Sequence, residues 1–170
     1  MIFVTVGTEK FQFDRLLKAI DHGIKACEIK ESVFAQTGSS KHVPKLFKYC
    51  GFLPFNKMIE FIKKADIVVT HAGVGSTLLC LSLGKIPVAF PRLVRMGEHL
   101  DNHQLEFARR METDKKILAA YDERELLNKI KNYKRLISAL ANQNLSSSKN
   151  NLVHFLKTTI DEKSNISCRR

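Results

Sequence analysis

Short apolar runs alternate with stretches of helical spacing along most of this 170-residue chain. The run IFVTV (2–6) is unbroken and rich in β-branched residues, the pattern of a strand buried on both faces. From Phe13 the apolar positions 13, 16, 17, 20, 24 and 27 recur every three or four residues, which predicts a helix with one buried face. SVFAQTG (32–38) predicts a second strand, ended by the turn-forming GSSK, and KYCGFL (48–53) a third, stopped by Pro54. Asn56 is placed to cap a short helix, KMIEFIKKA (57–65). Next come a strand at 67–71, a helix at 76–84, the strand IPVAF (86–90) and a polar loop. HQLEFARRM (103–111) reads as a helix and KILAA (116–120) as the last strand. Asp122 then caps a long amphipathic helix with apolar positions 126, 127, 130, 133, 136, 137 and 140.

Strands alternating with helices predict an α/β fold: a single Rossmann-like domain with a mainly parallel sheet over residues 1–141. Sheets of this kind bind ligands at the carboxyl ends of their strands. NQNLSSSKNN (142–151) is a polar linker by composition. Residues 152–170 read as a helix, LVHFLKTTI, that docks back or reaches a partner, followed by a frayed tail.

Residues 67–84 carry no formal charge, the length of a marginal membrane span. Gly73 and Gly75 cut that run, and each half has its own period, so a buried strand followed by a buried helix is expected instead. The N-terminus has no charged segment ahead of its short apolar run, so no signal peptide is expected. Cys27, Cys50, Cys80 and Cys168 form no CxxC pair or metal spacing, which predicts reduced thiols and no bound metal.

Charge changes the picture more. The net charge is +11, from 28 basic and 17 acidic residues, and the excess is spread along both halves of the chain. Such a field favours anionic partners: phosphorylated ligands, an acidic membrane surface or nucleic acid. For nucleic acid the charge stands alone, since there is no Trp and no aromatic series for base stacking.

The candidate chemistry lies in three strand-to-helix turns. GVGST (73–77) joins two glycines to two hydroxyls where a helix begins. Free backbone N–H groups and the helix dipole there favour a phosphate, and glycine permits its close approach. The same residues also make a tight turn with Ser76 as a cap. TVGTEKF (5–11) repeats the arrangement with Gly7 and Thr8. Two such turns on one crevice suit a diphosphate, while neither GxGxxG nor GxxxxGK[ST] is present, which disfavours NAD and ATP. GEHLDNHQ (97–104) is the third: Glu98, His99, Asp101, Asn102, His103 and Gln104 suit hydrogen bonds to sugar hydroxyls, or a helix cap with solvated neighbours. His71 reads as a structural histidine bonded to backbone; Arg92 and Arg95 either pair with phosphates or are surface charge.

Taken in order, MIFVTVGT…FDRLLKAID, FAQTG, ADIVVTHAGVGST…LSLGKIPVAFPR and GEHLDNHQLEFA resemble the C-terminal, donor-binding domain of glycosyltransferase family 28. The likeness covers about residues 1–112 and is nearest to small single-domain members. Those are donor-binding subunits of two-chain transferases in bacterial capsular and exopolysaccharide synthesis, related to the dolichol-pathway N-acetylglucosaminyltransferase. The resemblance implies one half of a GT-B architecture and a UDP-sugar donor. It implies inverting transfer without metal or other cofactor. It further implies a membrane-anchored acceptor-binding partner at the cytoplasmic face, an undecaprenyl-diphosphate-linked acceptor, no nucleic acid, and a general base on the partner chain. Residue by residue, it places Gly7, Thr8, Gly73, Gly75, Ser76 and Thr77 at the diphosphate. Glu98, His99, Asp101, His103 and Gln104 fall at the donor sugar, and Phe52 and Leu53 at the uracil. One departure is Leu79, where many relatives carry a ribose-binding glutamate. It leaves open a second role, an accessory chain that only activates a partner.

Overall fold

The computed structural model describes residues 1–141. The chain divides into two compact units, Met1–Tyr133 and the residues from Lys134 onward. Apart from the helix at 133–141, the elements and the site belong to the first. The expected linker and C-terminal helix at 142–170 lie outside the described residues.

Six parallel strands form one sheet in the order β3-β2-β1-β4-β5-β6. They are β1 (Ile2–Thr5), β2 (Val33–Gln36), β3 (Lys48–Cys50), β4 (Ile67–Thr70), β5 (Val88–Ala89) and β6 (Leu118–Ala119). The helices are α1 (Asp14–Lys25), α2 (Phe55–Lys64), α3 (Val74–Ser82), α4 (His103–Thr113) and α5 (Glu123–Lys131). This is the α/β architecture expected from the alternation of periods. All residues of β1 and β4 are buried, which is why their sequences run apolar without alternation. Phe3, Ile62, Ala65, Val68 and Cys80 form an apolar cluster, with Phe34 and Phe61 stacked at 4.2 Å. A second cluster joins Ala72, Ala89, Ala108, Ile117 and Ala119. The apolar run at 67–84 is thus β4 plus α3, and no helix among the described residues is long and apolar enough to cross a membrane.

Some expected boundaries move. Asn56 is not the cap of α2: Pro54 holds that place with extended backbone, ψ 149°. Proline has no N–H to leave unpaired at a helix start, and its carbonyl accepts the Met58 N–H at 3.0 Å, the first bond of the helix. Helix α3 begins at Val74, two residues earlier than expected, with Gly73 as its cap. Asp122 does cap α5, its carboxylate accepting the Glu125 N–H at 2.8 Å. The long helix is interrupted at Asn132, whose amide bonds back to the Asn128 carbonyl at 3.0 Å, and helix resumes at 133–141.

Strand β1 is the pivot. The chain builds outward from it through β2 to β3, then crosses to β4 on its other side and continues to β6. Register pairs Thr5 with Thr70 at the carboxyl ends of β1 and β4. A crevice opens where strand order reverses in this way, and both glycine turns leave the sheet there.

Candidate functional site

The first turn is pinned from two sides. Gly7 has φ +81°, a conformation that favours glycine. Its carbonyl accepts the Gln36 amide at 2.9 Å, and Gln36 Oε1 accepts the Thr5 hydroxyl at 2.7 Å. Gly38, at φ +52°, lies so close that a Cβ there would stand 2.7 Å from the Gly7 carbonyl. FAQTG is therefore more than a strand: its glutamine and glycine support the turn. From the other side Arg92 Nη2 donates to the Val6 carbonyl at 2.7 Å.

The second turn packs against the same ring as the first. A Cβ on Gly7 would meet His71 Cε1 at 2.5 Å, and one on Gly73 would meet Nε2 at 2.2 Å. The imidazole fills the space both glycines leave free. It is buried and bonded to the Thr5 backbone, as expected of a structural histidine. Burial, reinforced by the Arg92 charge, brings its pKa down to about 4, so it is neutral at ordinary pH. Between His71 and Gly73, Ala72 takes φ +61°, a left-handed conformation that glycine would adopt without strain.

Helix α3 starts with no side-chain cap. The N–H groups of Val74, Gly75 and Ser76 have no intrahelical acceptor by geometry, and Gly73, whose carbonyl takes the Thr77 N–H at 2.9 Å, has no side chain to offer them. Nothing lies within 4 Å of a Cβ built on Gly75. Thr77 departs from the other turn residues: it is fully buried, and its hydroxyl has no partner.

In the third segment, Glu98 turns inward. It is 1% exposed and forms a two-point ion pair with Arg15, at 2.9 and 3.0 Å, while also accepting the Leu93 N–H at 2.9 Å. Arg92 is fully buried, so it is neither surface charge nor a free phosphate ligand; its Nε lacks a partner. Its backbone N–H reaches Gln104 Oε1 at 3.3 Å. Arg95 is exposed. His99 lies tilted against Phe11, ring centroids 5.3 Å apart, and meets the edge of His103 at 4.7 Å. Asp101 bonds to His103 through both its backbone N–H and its ring, and the backbone bond leads in holding its carboxyl below the usual range.

These parts enclose a cleft of about 540 Å³. The expected residues that line it are Gly7, Thr8, Gly73, Gly75, Ser76, His99, His103 and Gln104. Thr77, Glu98 and Asp101 do not. Phe52 and Leu53 do not either: Phe52 is solvent-exposed and Leu53 packs on the apolar cluster around Phe3. Leu79 joins that same cluster. Sequence reasoning missed Glu9, Lys10, Phe11, Met58, His71, Val74 and Leu100 as cleft residues. Lys10 and Phe11 stand in the quoted first turn and were within reach; Met58 comes from α2, and no local signal points to it. A second cavity of about 540 Å³, beside Glu28, Glu123 and Lys131, has charged side chains of both signs and no glycine.

The sequence pattern of the glycosyltransferase family 28 C-terminal domain matches residues 1–161. The chain belongs to that family. The human UDP-N-acetylglucosamine transferase subunit ALG13 is 34% identical over 120 residues, which are 65% of this chain and 10% of the human one. The subunit of the same name from Yarrowia lipolytica is 31% identical over 81 residues, 48% of this chain and 39% of the yeast protein. This family 28 chain therefore matches only a small part of the curated human relative. Among solved structures, the glycotransferase of kitacinnamycin shares its fold: TM-score 0.56 over 83% of this chain and 37% of that one, at 15% identity. The fold corresponds to one half of a GT-B glycosyltransferase.

Proposed function

We propose that this family 28 domain is the donor-binding subunit of a two-chain, inverting UDP-sugar glycosyltransferase. The observation that carries the reading is the uncapped amino end of α3, set beside the Gly7 turn at the switch point of the sheet. Two sets of backbone N–H groups and the helix dipole favour the two charges of a diphosphate. A matching part of ALG13 proteins, named as UDP-N-acetylglucosamine transferase subunits, supports a UDP donor and a subunit role.

In this reading Gly7, Thr8, Gly73, Gly75 and Ser76 hold the diphosphate. His99, His103 and Gln104 face the sugar, with Asp101 orienting His103 from the rim and Glu98 bracing their loop through Arg15. Thr77 supports the turn from within, and Phe52 and Leu53 flank the uracil end. His71, neutral at ordinary pH, shapes both turns without adding charge. The general base comes from a membrane-anchored acceptor-binding partner at the cytoplasmic face. The acceptor is an undecaprenyl-diphosphate-linked sugar of surface polysaccharide synthesis, and the transfer of galactose, glucose or N-acetylglucosamine needs no metal. The chain's net charge of +11 suits both the donor and an anionic membrane.

Calorimetric titration with UDP, UDP-galactose, UDP-glucose and UDP-N-acetylglucosamine, with NADH as control, tests the donor site. Binding restricted to the UDP species is expected, and their ranking names the sugar. Failure of every UDP species to bind at millimolar concentration would sink the reading for the isolated chain. Leu79 favours a second reading, an accessory chain, because its side chain is in the apolar cluster and offers the ribose no carboxylate. Partner-dependent transfer that survives a bulky residue at Gly75 would support that alternative.

A further inference from the structure

At the rim of the cleft, His99, Asp101 and His103 each offer one ligand atom, and these atoms lie within 4.8 Å of one another. Among the described residues this is the one group of three or more histidine, cysteine, aspartate or glutamate side chains so arranged. His99 Nδ1 stands 3.4 Å from Asp101 Oδ1. Donors held about 2.0–2.1 Å from a tetrahedral zinc ion lie about 3.3–3.5 Å apart, so that separation already matches one edge of the tetrahedron. His103 Nδ1 approaches the same carboxylate oxygen more closely, in hydrogen-bond contact. Its side chain is 53% exposed, and little packing opposes the small rotation that would open the pair to metal spacing.

The donor set narrows the ion. Two imidazoles and one carboxylate suit Zn²⁺ and its neighbours in the first transition row. A single carboxylate is too few oxygens for a protein-built Ca²⁺ site, and no thiolate is present to draw Cu⁺. The first ligand is set in advance, since the His99 side chain is only 11% exposed and its ring lies against Phe11. An aspartate that only oriented His103 would need two residues. The third, His99, holds Nδ1 3.4 Å from the same carboxylate oxygen and accepts the Asp101 backbone N–H at 3.3 Å, so its lone pair is turned toward the aspartate, where a cation would replace that long hydrogen bond.

We propose that His99, Asp101 and His103 form a binding site for a divalent transition-metal ion of the zinc class, with its open coordination position toward the cleft. Such an ion is no cofactor of the transfer proposed above. It would engage the side chains that reading gives to the donor sugar, so ion and sugar are alternatives at this rim.

The metal alone is the probe, added to the full chain with its thiols reduced. Co²⁺ is followed by its visible absorption, and Zn²⁺ by competition with a chromogenic chelator. One equivalent at micromolar concentration is expected. His103→Ala and Asp101→Asn should each weaken it by about ten-fold or more, a loss typical of damage to a metal site. Both side chains are more than half exposed, and circular dichroism verifies that the variants fold. His22→Ala, on α1, should leave binding unchanged. Metal binding untouched by both rim substitutions places the ion elsewhere and overturns the proposal; so does the absence of binding up to millimolar metal. No nucleotide is present in this titration, so its failure and the failure of the donor reading are separate results.

Discussion

The imidazole of His71 occupies the space where a side chain on Gly73 would begin, with Nε2 2.2 Å from the position of that missing Cβ. Gly7 faces the same ring from the neighbouring turn. One side chain at the end of β4 thus requires glycine at two turns that are distant in sequence and adjacent in the sheet.

Gly73→Ala should therefore destabilise the domain through overpacking, by about 1–3 kcal/mol. The same substitution beside His71→Ala should cost much less, because the ring is gone. Urea denaturation of the two single variants and the double variant measures the coupling. Simple additivity would show that the ring is not what excludes the methyl group.

Gly75 is the opposite case, since nothing lies within 4 Å of a Cβ there. Gly75→Ala should be neutral or stabilise by about 0.5–1 kcal/mol, as alanine is the better helix former. Gly75→Leu should keep the melting temperature while lowering UDP affinity at least ten-fold, about 1.4 kcal/mol. Unchanged UDP binding in a folded Gly75→Leu protein would remove α3 from the donor site.

His71 makes stability depend on pH. Its pKa is about 4 in the fold, against an ordinary 6.5, with burial the main cause. Between those values the unfolded chain binds the additional proton, so the contribution is complete above pH 6.5 and declines as the pH falls toward 4. The full loss amounts to about 3 kcal/mol as an order of magnitude. Guanidinium titrations at several pH values in this window should show a shallower decline for His71→Gln. Equal slopes in the two proteins would exclude His71 as the source.

Arg15→Ala leaves the Glu98 carboxylate buried without its bidentate partner, with only the Arg92 charge nearby. A loss of about 3–5 kcal/mol is expected, the usual result of stranding one member of a buried pair. Adding Glu98→Gln should restore part of that loss, because the second substitution removes the stranded charge. If the double variant were no more stable than Arg15→Ala, the ion pair would not be the origin of the effect. Calorimetric melting of the three proteins decides.

The helices and strands were legible wherever the pattern was long enough to carry a period. Helix α1 and strand β4 lie within two residues of their expected ends. IPVAF and KILAA shrink to two paired residues each, Val88–Ala89 and Leu118–Ala119, because a strand extends only as far as its neighbour offers backbone. The long C-terminal helix looked continuous since Tyr133 keeps the apolar spacing; apolar spacing does not register a local turn at Asn132.

The site divides in the same way. Gly7, Gly73, Gly75 and Ser76 were readable because glycines and hydroxyls at the junction of a strand and a helix form a local signal. Glu98, expected near the donor sugar, and Arg92, expected at a phosphate or on the surface, are instead buried, for their partners, Arg15 and Val6, are more than eighty residues away. Leu53, which the resemblance places at the uracil, lies outside the cleft lining and rests partly on the core around Phe3. Burial depends on which distant segment covers a residue, and neither composition nor spacing contains that information.

By itself, then, the sequence determined the alternation of strands and helices, the parallel α/β class, and the two glycine turns at strand ends. All of these follow from interactions within about one turn or one strand of the chain. Only the tertiary structure decided that β1 and β4 are neighbours, which brings Gly7 and Gly73 onto one imidazole. It also decided which polar residues at 92–104 face the cleft and which are buried as braces. Those outcomes arise from pairings across tens of residues, where packing and the satisfaction of buried polar groups, and not local preference, set the conformation of lowest free energy.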